Sequence, residues 1–175
     1  MRRVDTKDLF TCSFQGRVFE LSAQDPTGCS SAIFIRRFMR SATAQHADEE
    51  GSFGVGVSER DVLDEVNRAF DGRPYGSARY PTELLFWIGF TYRYWCFAAN
   101  MSSKMVYSLC SAKEMSELYY AYHTLDPAQC VDRILESKGL SAEEPTDEQL
   151  MRLGLAALRR IRSAETNPSQ FNGLP

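Results

Sequence analysis

Residues 80–100, YPTELLFWIGFTYRYWCFAAN, constrain the fold more than any other stretch because they are apolar on nearly every side of a helix. The stretch holds both tryptophans of the chain. A helix that is apolar all round is either buried by its neighbours or inserted in lipid. At 100° per residue, one stripe is apolar except for a threonine. It consists of Leu84, Ile88, Thr91, Trp95 and Ala98, with Phe86, Phe90, Arg93 and Phe97 opposite.

The membrane alternative fails on length and on charge. The apolar part, residues 84–99, is about 16 residues long, whereas a bilayer span needs roughly 20. Arg93 lies near its middle, where a charge is costly in lipid. The sequence therefore predicts a buried central helix over about 81–99, with Pro81 at its start and Asn100 at its end.

Arg93 leaves two interpretations open. A guanidinium among phenylalanines needs a carboxylate, carbonyl groups or a ligand anion. In the first interpretation, it pairs with a buried Asp or Glu or extends its head to the surface. In the second, it contacts an anion or a partner protein.

Composition excludes several classes of protein. The net charge of −3 argues against a general nucleic-acid binder, which needs concentrated positive charge. The five cysteines are widely spaced with no C-x-x-C, which indicates reduced thiols. The start, MRRVDTKDLF, lacks the apolar run of a signal peptide, so we expect a cytoplasmic protein without a membrane anchor.

Capping signals and apolar spacing predict an all-α fold, an irregular or orthogonal bundle of seven or eight helices around the central one. The other predicted helices cover about 5–21, 30–40 with a continuation to 47, 58–70, 102–110, 111–122, 126–139 and 147–162.

Residues 1–162 are predicted to form a single domain, with an acidic, Gly-rich loop at 48–57 and a disordered tail at 163–175.

Two helix faces can be assigned from spacing. The first helix places Leu9, Phe10, Phe14 and Val18 on its apolar face. The second places Arg36, Arg37 and Arg40 on its outer side, either as a solvated face or as a phosphate contact.

No established catalytic motif is present, and we expect neither an enzyme nor a cofactor. The chain has two histidines, too few at close spacing for a zinc site, so no metal is expected. His123 with a cysteine could form a nucleophilic pair, although buried inert cysteines are commoner. His123 could equally bind the last carbonyls of its helix.

A polar and aromatic patch is the candidate partner-binding site, because Tyr and Arg dominate interface hot spots. It consists of Tyr92, Arg93, Tyr94, Lys104, Tyr107, Tyr122 and His123.

Three segments, 30–48, 80–97 and 101–136, resemble an uncharacterised family of short helical bacterial proteins. The third, which contains SSKMVY and YYAYHT, is also similar to a smaller family with the pattern SSKEVY … YYxxHT, often found beside candidate toxins. This resemblance implies an antitoxin or immunity role. It carries Lys104, Tyr107, Tyr122, His123 and Thr124 over as characteristic positions without assigned roles.

Three functions follow as hypotheses. The first is a non-enzymatic interaction protein that neutralises a co-encoded partner. The second is a DNA-binding transcriptional regulator that uses 102–122 as a helix-turn-helix, although Lys113 is the one basic residue of its second helix. The third is a small-ligand sensor or enzyme that uses Arg93 and His123. The oligomeric state is not predicted.

Overall fold

The computed structural model describes residues 1–25, 28–70 and 75–139, and this part of the chain contains eight α-helices and no β-strand. The all-α prediction is confirmed. The helices are α1 (Thr6–Ser22), α2 (Ser31–Phe38), α3 (Ala42–Glu50), α4 (Glu59–Ala69), α5 (Thr82–Ala99), α6 (Ser103–Leu109), α7 (Ala112–Tyr122) and α8 (Pro127–Ser137).

Short-range capping sets where most of these helices begin. Reciprocal capping boxes join Ser58 to Asp61 at α4 and Ser111 to Glu114 at α7. Asp126 accepts a hydrogen bond from the Ala128 N–H at the start of α8. These starts are confirmed because each capping signal lies within about four residues of sequence.

The central helix α5 is surrounded by its neighbours, as predicted. It packs against α1, α6, α7 and α8, and its C-cap Asn100 adopts the left-handed conformation that ends many helices. Leu85, Ile88, Tyr92 and Trp95 have no exposed surface. The helix is therefore the core element that α1, α6, α7 and α8 cover.

Two glycines bring α1 and α5 into close contact. A Cβ atom on Gly89 would lie 2.8 Å from the Gln15 carbonyl oxygen and 2.9 Å from the Gly16 Cα. A Cβ atom on Gly16 would lie 2.8 Å from the Phe86 ring. Because the Gly89 neighbours are backbone atoms, only glycine permits this approach.

The predicted apolar face of α1 is wrong at its first two residues. Leu9 and Phe10 are exposed, and Phe14 is only partly buried, whereas Val18 is buried as expected. The buried side also carries polar residues, among them Gln15. The interior that α1 meets contains the polar head of Arg93, so a polar residue is needed where spacing alone predicts an apolar one.

Two further predictions need correction. The prediction of an acidic, Gly-rich loop over 48–57 is wrong at its start, because α3 continues through Asp48 to Glu50 before Gly51 ends it. Arg37 does not lie on an outer face: it is buried, with its guanidinium over the Phe70 ring at 5.1 Å. Arg36 and Arg40 are exposed as predicted.

The predicted helix over 147–162 and the predicted tail over 163–175 lie outside the described residues, and the boundaries of the domain stay a prediction. None of the helices over 1–25, 28–70 and 75–139 is long and apolar enough to cross a bilayer.

The contact between α1 and α5 predicts an unusual outcome for Gly89→Ala. Alanine normally stabilises a helix interior by about 1 kcal/mol relative to glycine. Here we expect a loss of about 1–3 kcal/mol, because the new methyl group would force backbone apart. Urea unfolding measures this free energy, and a gain in stability would contradict the close packing.

An ion pair joins the start of α7 to the end of α8. Lys138 Nζ donates to Glu114 Oε1, and Glu114 Oε2 accepts the Ser111 N–H at 2.8 Å. Burial alone would raise the pKa of Glu114, but the hydrogen bonds from Lys138 and Ser111 outweigh it and lower that pKa from 4.5 to about 2.

The depressed pKa makes stability depend on pH. A lowered carboxyl pKa stabilises the fold above about pH 4.5, and this contribution is lost as the pH falls toward 2. Glu114→Gln should therefore cost about 1 kcal/mol at pH 7, after allowance for solvent screening, and almost nothing at pH 2. Unfolding measured across this range checks it. Glu117→Gln, at an exposed pair, is the matched control, and equal behaviour of both variants would disprove the assignment.

Candidate functional site

Arg93 lies at the centre of a buried polar network. Its side chain has no exposed surface, and all three guanidinium nitrogens donate hydrogen bonds. Nη1 donates to Asp48 Oδ1 at 2.6 Å, Nε donates to Gln15 Oε1 at 2.9 Å, and Nη2 donates to Ser103 Oγ at 2.9 Å. The guanidinium carbon also lies 5.6 Å from the ring centroids of both Phe53 and Phe97. The first of the two interpretations, an ion pair with a largely buried carboxylate, is confirmed.

Both carboxylate oxygens of Asp48 also accept hydrogen bonds. Besides Arg93, it accepts the Ser103 N–H at 2.7 Å on Oδ2 and the Ser103 hydroxyl at 2.7 Å on Oδ1. Ser103 is the first residue of α6, so the carboxylate also lies at the positive end of that helix. Each nitrogen of Arg93 thus already has a protein acceptor, and Asp48 supplies the counter-charge that a ligand anion would otherwise provide.

The five cysteines lie in environments that make their thiols unreactive. All five are buried and free of disulfides. Burial raises the pKa of Cys12 to about 12 and that of Cys96 to about 11, although the nearby Arg93 opposes both shifts. A thiol becomes a nucleophile when its pKa falls, so this environment disfavours reaction.

A half-open cleft with a volume of about 670 Å³ lies above the Arg93 network. Arg93, Asp48 and Cys96 contribute to its lining. Arg2 closes one wall, where it pairs with Asp8 at 2.6 Å and donates to the Phe97 carbonyl at 3.3 Å. Charged side chains of both signs line the mouth, namely Arg40, Glu49, Glu50 and Lys104.

A group of cations with one tyrosine lies at the edge of this cleft, and we call Arg36, Arg40, Lys104 and Tyr107 the basic rim. The Arg40 guanidinium lies 5.7 Å from the centroid of the Tyr107 ring. Burial raises the pKa of Tyr107, and Arg36 and Arg40 are near enough to oppose the rise. Lys104 and Tyr107 are one turn apart on α6. The three cations are exposed and form no ion pair within the described ranges.

A second concave surface, of about 320 Å³, is aromatic, and we call it the aromatic groove. It is lined by Phe86, Trp87, Phe90, Tyr119 and His123. Trp87 meets Tyr119 edge-on with centroids 5.5 Å apart, and the Tyr119 ring stacks on His123 at 4.7 Å. His123 Nδ1 also lies 3.0 Å from the Tyr119 carbonyl oxygen, the helix-end contact considered from the sequence.

The structure separates the predicted partner-binding residues. Arg93 and Lys104 belong to the cleft, and His123 belongs to the aromatic groove. Tyr92 is buried, with its hydroxyl donating to the Cys110 carbonyl at 2.7 Å. The remaining members are partly buried, Tyr107 at the basic rim and Tyr94 and Tyr122 elsewhere. The seven residues therefore do not form one surface patch, and a partner cannot touch Tyr92 or Arg93 directly in this conformation.

Sequence reasoning missed Asp48, Gln15 and Ser103 as partners of Arg93. Asp48 is 45 positions away in the chain and Gln15 is 78. The sequence predicts a loop at Asp48, because this residue begins an acidic run before several glycines. Within residues 1–25, 28–70 and 75–139, no cluster of three His, Cys, Asp or Glu side chains could hold a metal ion.

Comparisons of the chain with protein-family models, with curated proteins and with solved structures found no match.

The network predicts that Asp48→Ala destabilises the fold strongly. It would leave the Arg93 guanidinium buried without a counter-charge, at an expected cost of about 3–5 kcal/mol in the free energy of unfolding. Replacing both residues, Asp48→Leu with Arg93→Met, should cost less than Asp48→Ala alone, because no unpaired charge remains.

The matched control is Glu49→Ala, which removes a carboxylate from the next, exposed position and should change stability by no more than about 0.5 kcal/mol. Chemical unfolding of the wild-type protein, of the two network variants and of Glu49→Ala measures the free energy of unfolding of each. A cost below about 1 kcal/mol for Asp48→Ala would show that the buried ion pair is not a major support of the fold.

Proposed function

We propose that this chain is a non-enzymatic interaction protein, the antitoxin or immunity component that binds and neutralises a co-encoded partner protein. The observation that carries the proposal is the basic rim. It offers three exposed cations beside a half-buried tyrosine on a helical scaffold. Arg and Tyr are residue types enriched at the centres of protein interfaces.

The partner surface that fits the basic rim is acidic. Exposed cations that form no ion pair among the described residues attract opposite charge during diffusional encounter and raise the association rate. Glu49 and Glu50, at the cleft mouth, repel misaligned carboxylates and so favour one register of binding. Lys104 and Tyr107 are also two of the characteristic positions, without assigned roles, that the resemblance of residues 101–136 implies.

A small-ligand function is a second candidate, favoured by the size of the cleft. Its volume of about 670 Å³ lies within the roughly 300–1,000 Å³ typical of small-molecule sites. Such a ligand could not use Arg93 and His123 together, since one lies at the floor of the cleft and the other in the aromatic groove. The DNA-binding alternative stays a prediction. Lys113, the basic residue of α7, lies 3.9 Å from Glu117.

The basic rim predicts a charge-dependent affinity for the protein encoded beside this one. Arg40→Glu with Lys104→Glu should weaken binding at least tenfold, because two attractive charges become repulsive. Binding to the purified neighbour protein is measured by calorimetry at low and at moderate salt. The loss should be largest at low salt, where screening is weakest.

Arg60→Glu is the matched control, because Arg60 is an exposed arginine on α4 outside the basic rim. It should bind with wild-type affinity. If the wild-type protein binds its neighbour and the double variant binds equally well, the basic rim is not the interface. If the wild-type protein binds no neighbour protein, the antitoxin proposal is wrong.

A further inference from the structure

The aromatic groove continues into an acidic end. Phe86, Phe90 and Tyr94 stack along α5, with ring centroids 6.2 Å and 6.4 Å apart. Tyr94 lies near Asp126 and Asp132 of the α8 region: burial raises its pKa first, and both carboxylates add to the rise. The surface therefore offers a row of rings and then two acids.

One oxygen of Asp132 has no hydrogen-bond donor among the described residues. Asp132 Oδ1 is buried yet has no hydrogen-bond partner among the described residues. A buried carboxylate oxygen without a donor costs free energy, so a donor from outside the described residues would be stabilising there. At the other side of the groove, Tyr120 is 85 % exposed and meets the Tyr119 ring edge-on at 5.4 Å.

We propose that the aromatic groove binds residues 147–162 of the same chain. The sequence of this segment spaces five apolar residues at helical intervals and adds four arginines. The apolar residues are Leu150, Leu153, Ala157, Leu158 and Ile161, and the arginines are Arg152, Arg159, Arg160 and Arg162.

The chemistry of this segment complements the groove. Its leucines and isoleucine would cover Trp87, Phe86 and Phe90. Removing these apolar surfaces from water would stabilise the contact. An arginine would supply charge-assisted donors to Asp132 and Asp126. The neighbouring acids also select a basic segment over an acidic one.

The connection is long enough. The bond between Lys138 and Glu114 fixes the end of the described chain beside the first turn of α7. From Glu114 to Tyr119 and His123 the distance along α7 is roughly 8–14 Å at 1.5 Å per residue. Residues 140–146 can span up to roughly 23 Å when extended. The segment 147–162 can therefore reach the groove without disturbing α8.

Site-specific photo-crosslinking of the full-length chain tests this proposal. A benzophenone-bearing phenylalanine analogue replaces Tyr120, and mass spectrometry maps the crosslinked peptides after illumination. We expect crosslinks to residues 147–162 at the mass of a single chain. Crosslinks between two chains would identify a second copy as the occupant and overturn the proposal, as would the absence of crosslinks to 147–162.

A second variant tests the apolar contact. Leu153→Asp with Leu158→Asp should lower the yield of this crosslink at least tenfold, whereas Arg152→Asp, on the opposite side of the helical wheel, should leave most of it. Equal yields in all three proteins would overturn the proposal. Since neither variant touches the basic rim, partner affinity reports separately on the proposed function.

Discussion

The buried ion pair between Arg93 and Asp48 is the constraint on which the rest of the described structure depends. It joins α3 to α5, and Gln15 and Ser103 extend it to α1 and α6. A guanidinium taken out of water is tolerated only when its charge and its donors are satisfied, so the four helices must meet where their oxygens converge on it. An apolar contact could tolerate a small sliding of one helix against another, whereas these directional hydrogen bonds fix the relative positions of the four helices.

The same network determines which charges of the cleft are neutralised and which remain available to a partner. Because Asp48 neutralises Arg93 at the floor of the cleft, the charges that remain available to a partner are those at the mouth, above all Arg40 and Lys104. Asp48 also receives the first N–H of α6, so the network sets the position of the helix that carries Lys104 and Tyr107. We therefore expect loss of the ion pair to disturb the relative positions of the basic-rim residues without removing any of them.

Local signals predicted the helices well, and long-range contacts account for the errors. The capping boxes and the central helix follow from residues close together in sequence. The faces of α1 do not, because the burial of Gln15 is decided by Arg93 and by the glycine contact with α5. The partner of Arg93 does not follow either, because no local signal indicates that the Asp48 carboxylate meets a charge 45 positions away. Phe86 and Phe90 are predicted on the buried central helix and His123 in the partner-binding patch, but their grouping with Tyr119 depends on how α7 packs on α5.

The most direct test of the structural role of Arg93 is nuclear magnetic resonance of its side-chain Nε–H. A proton that donates to Gln15 in a buried network should exchange slowly with water. It should keep the same chemical shift when the neighbour protein binds at the basic rim. Fast exchange in the free protein, together with protection and a large shift on binding, would contradict this account and make Arg93 a contact residue.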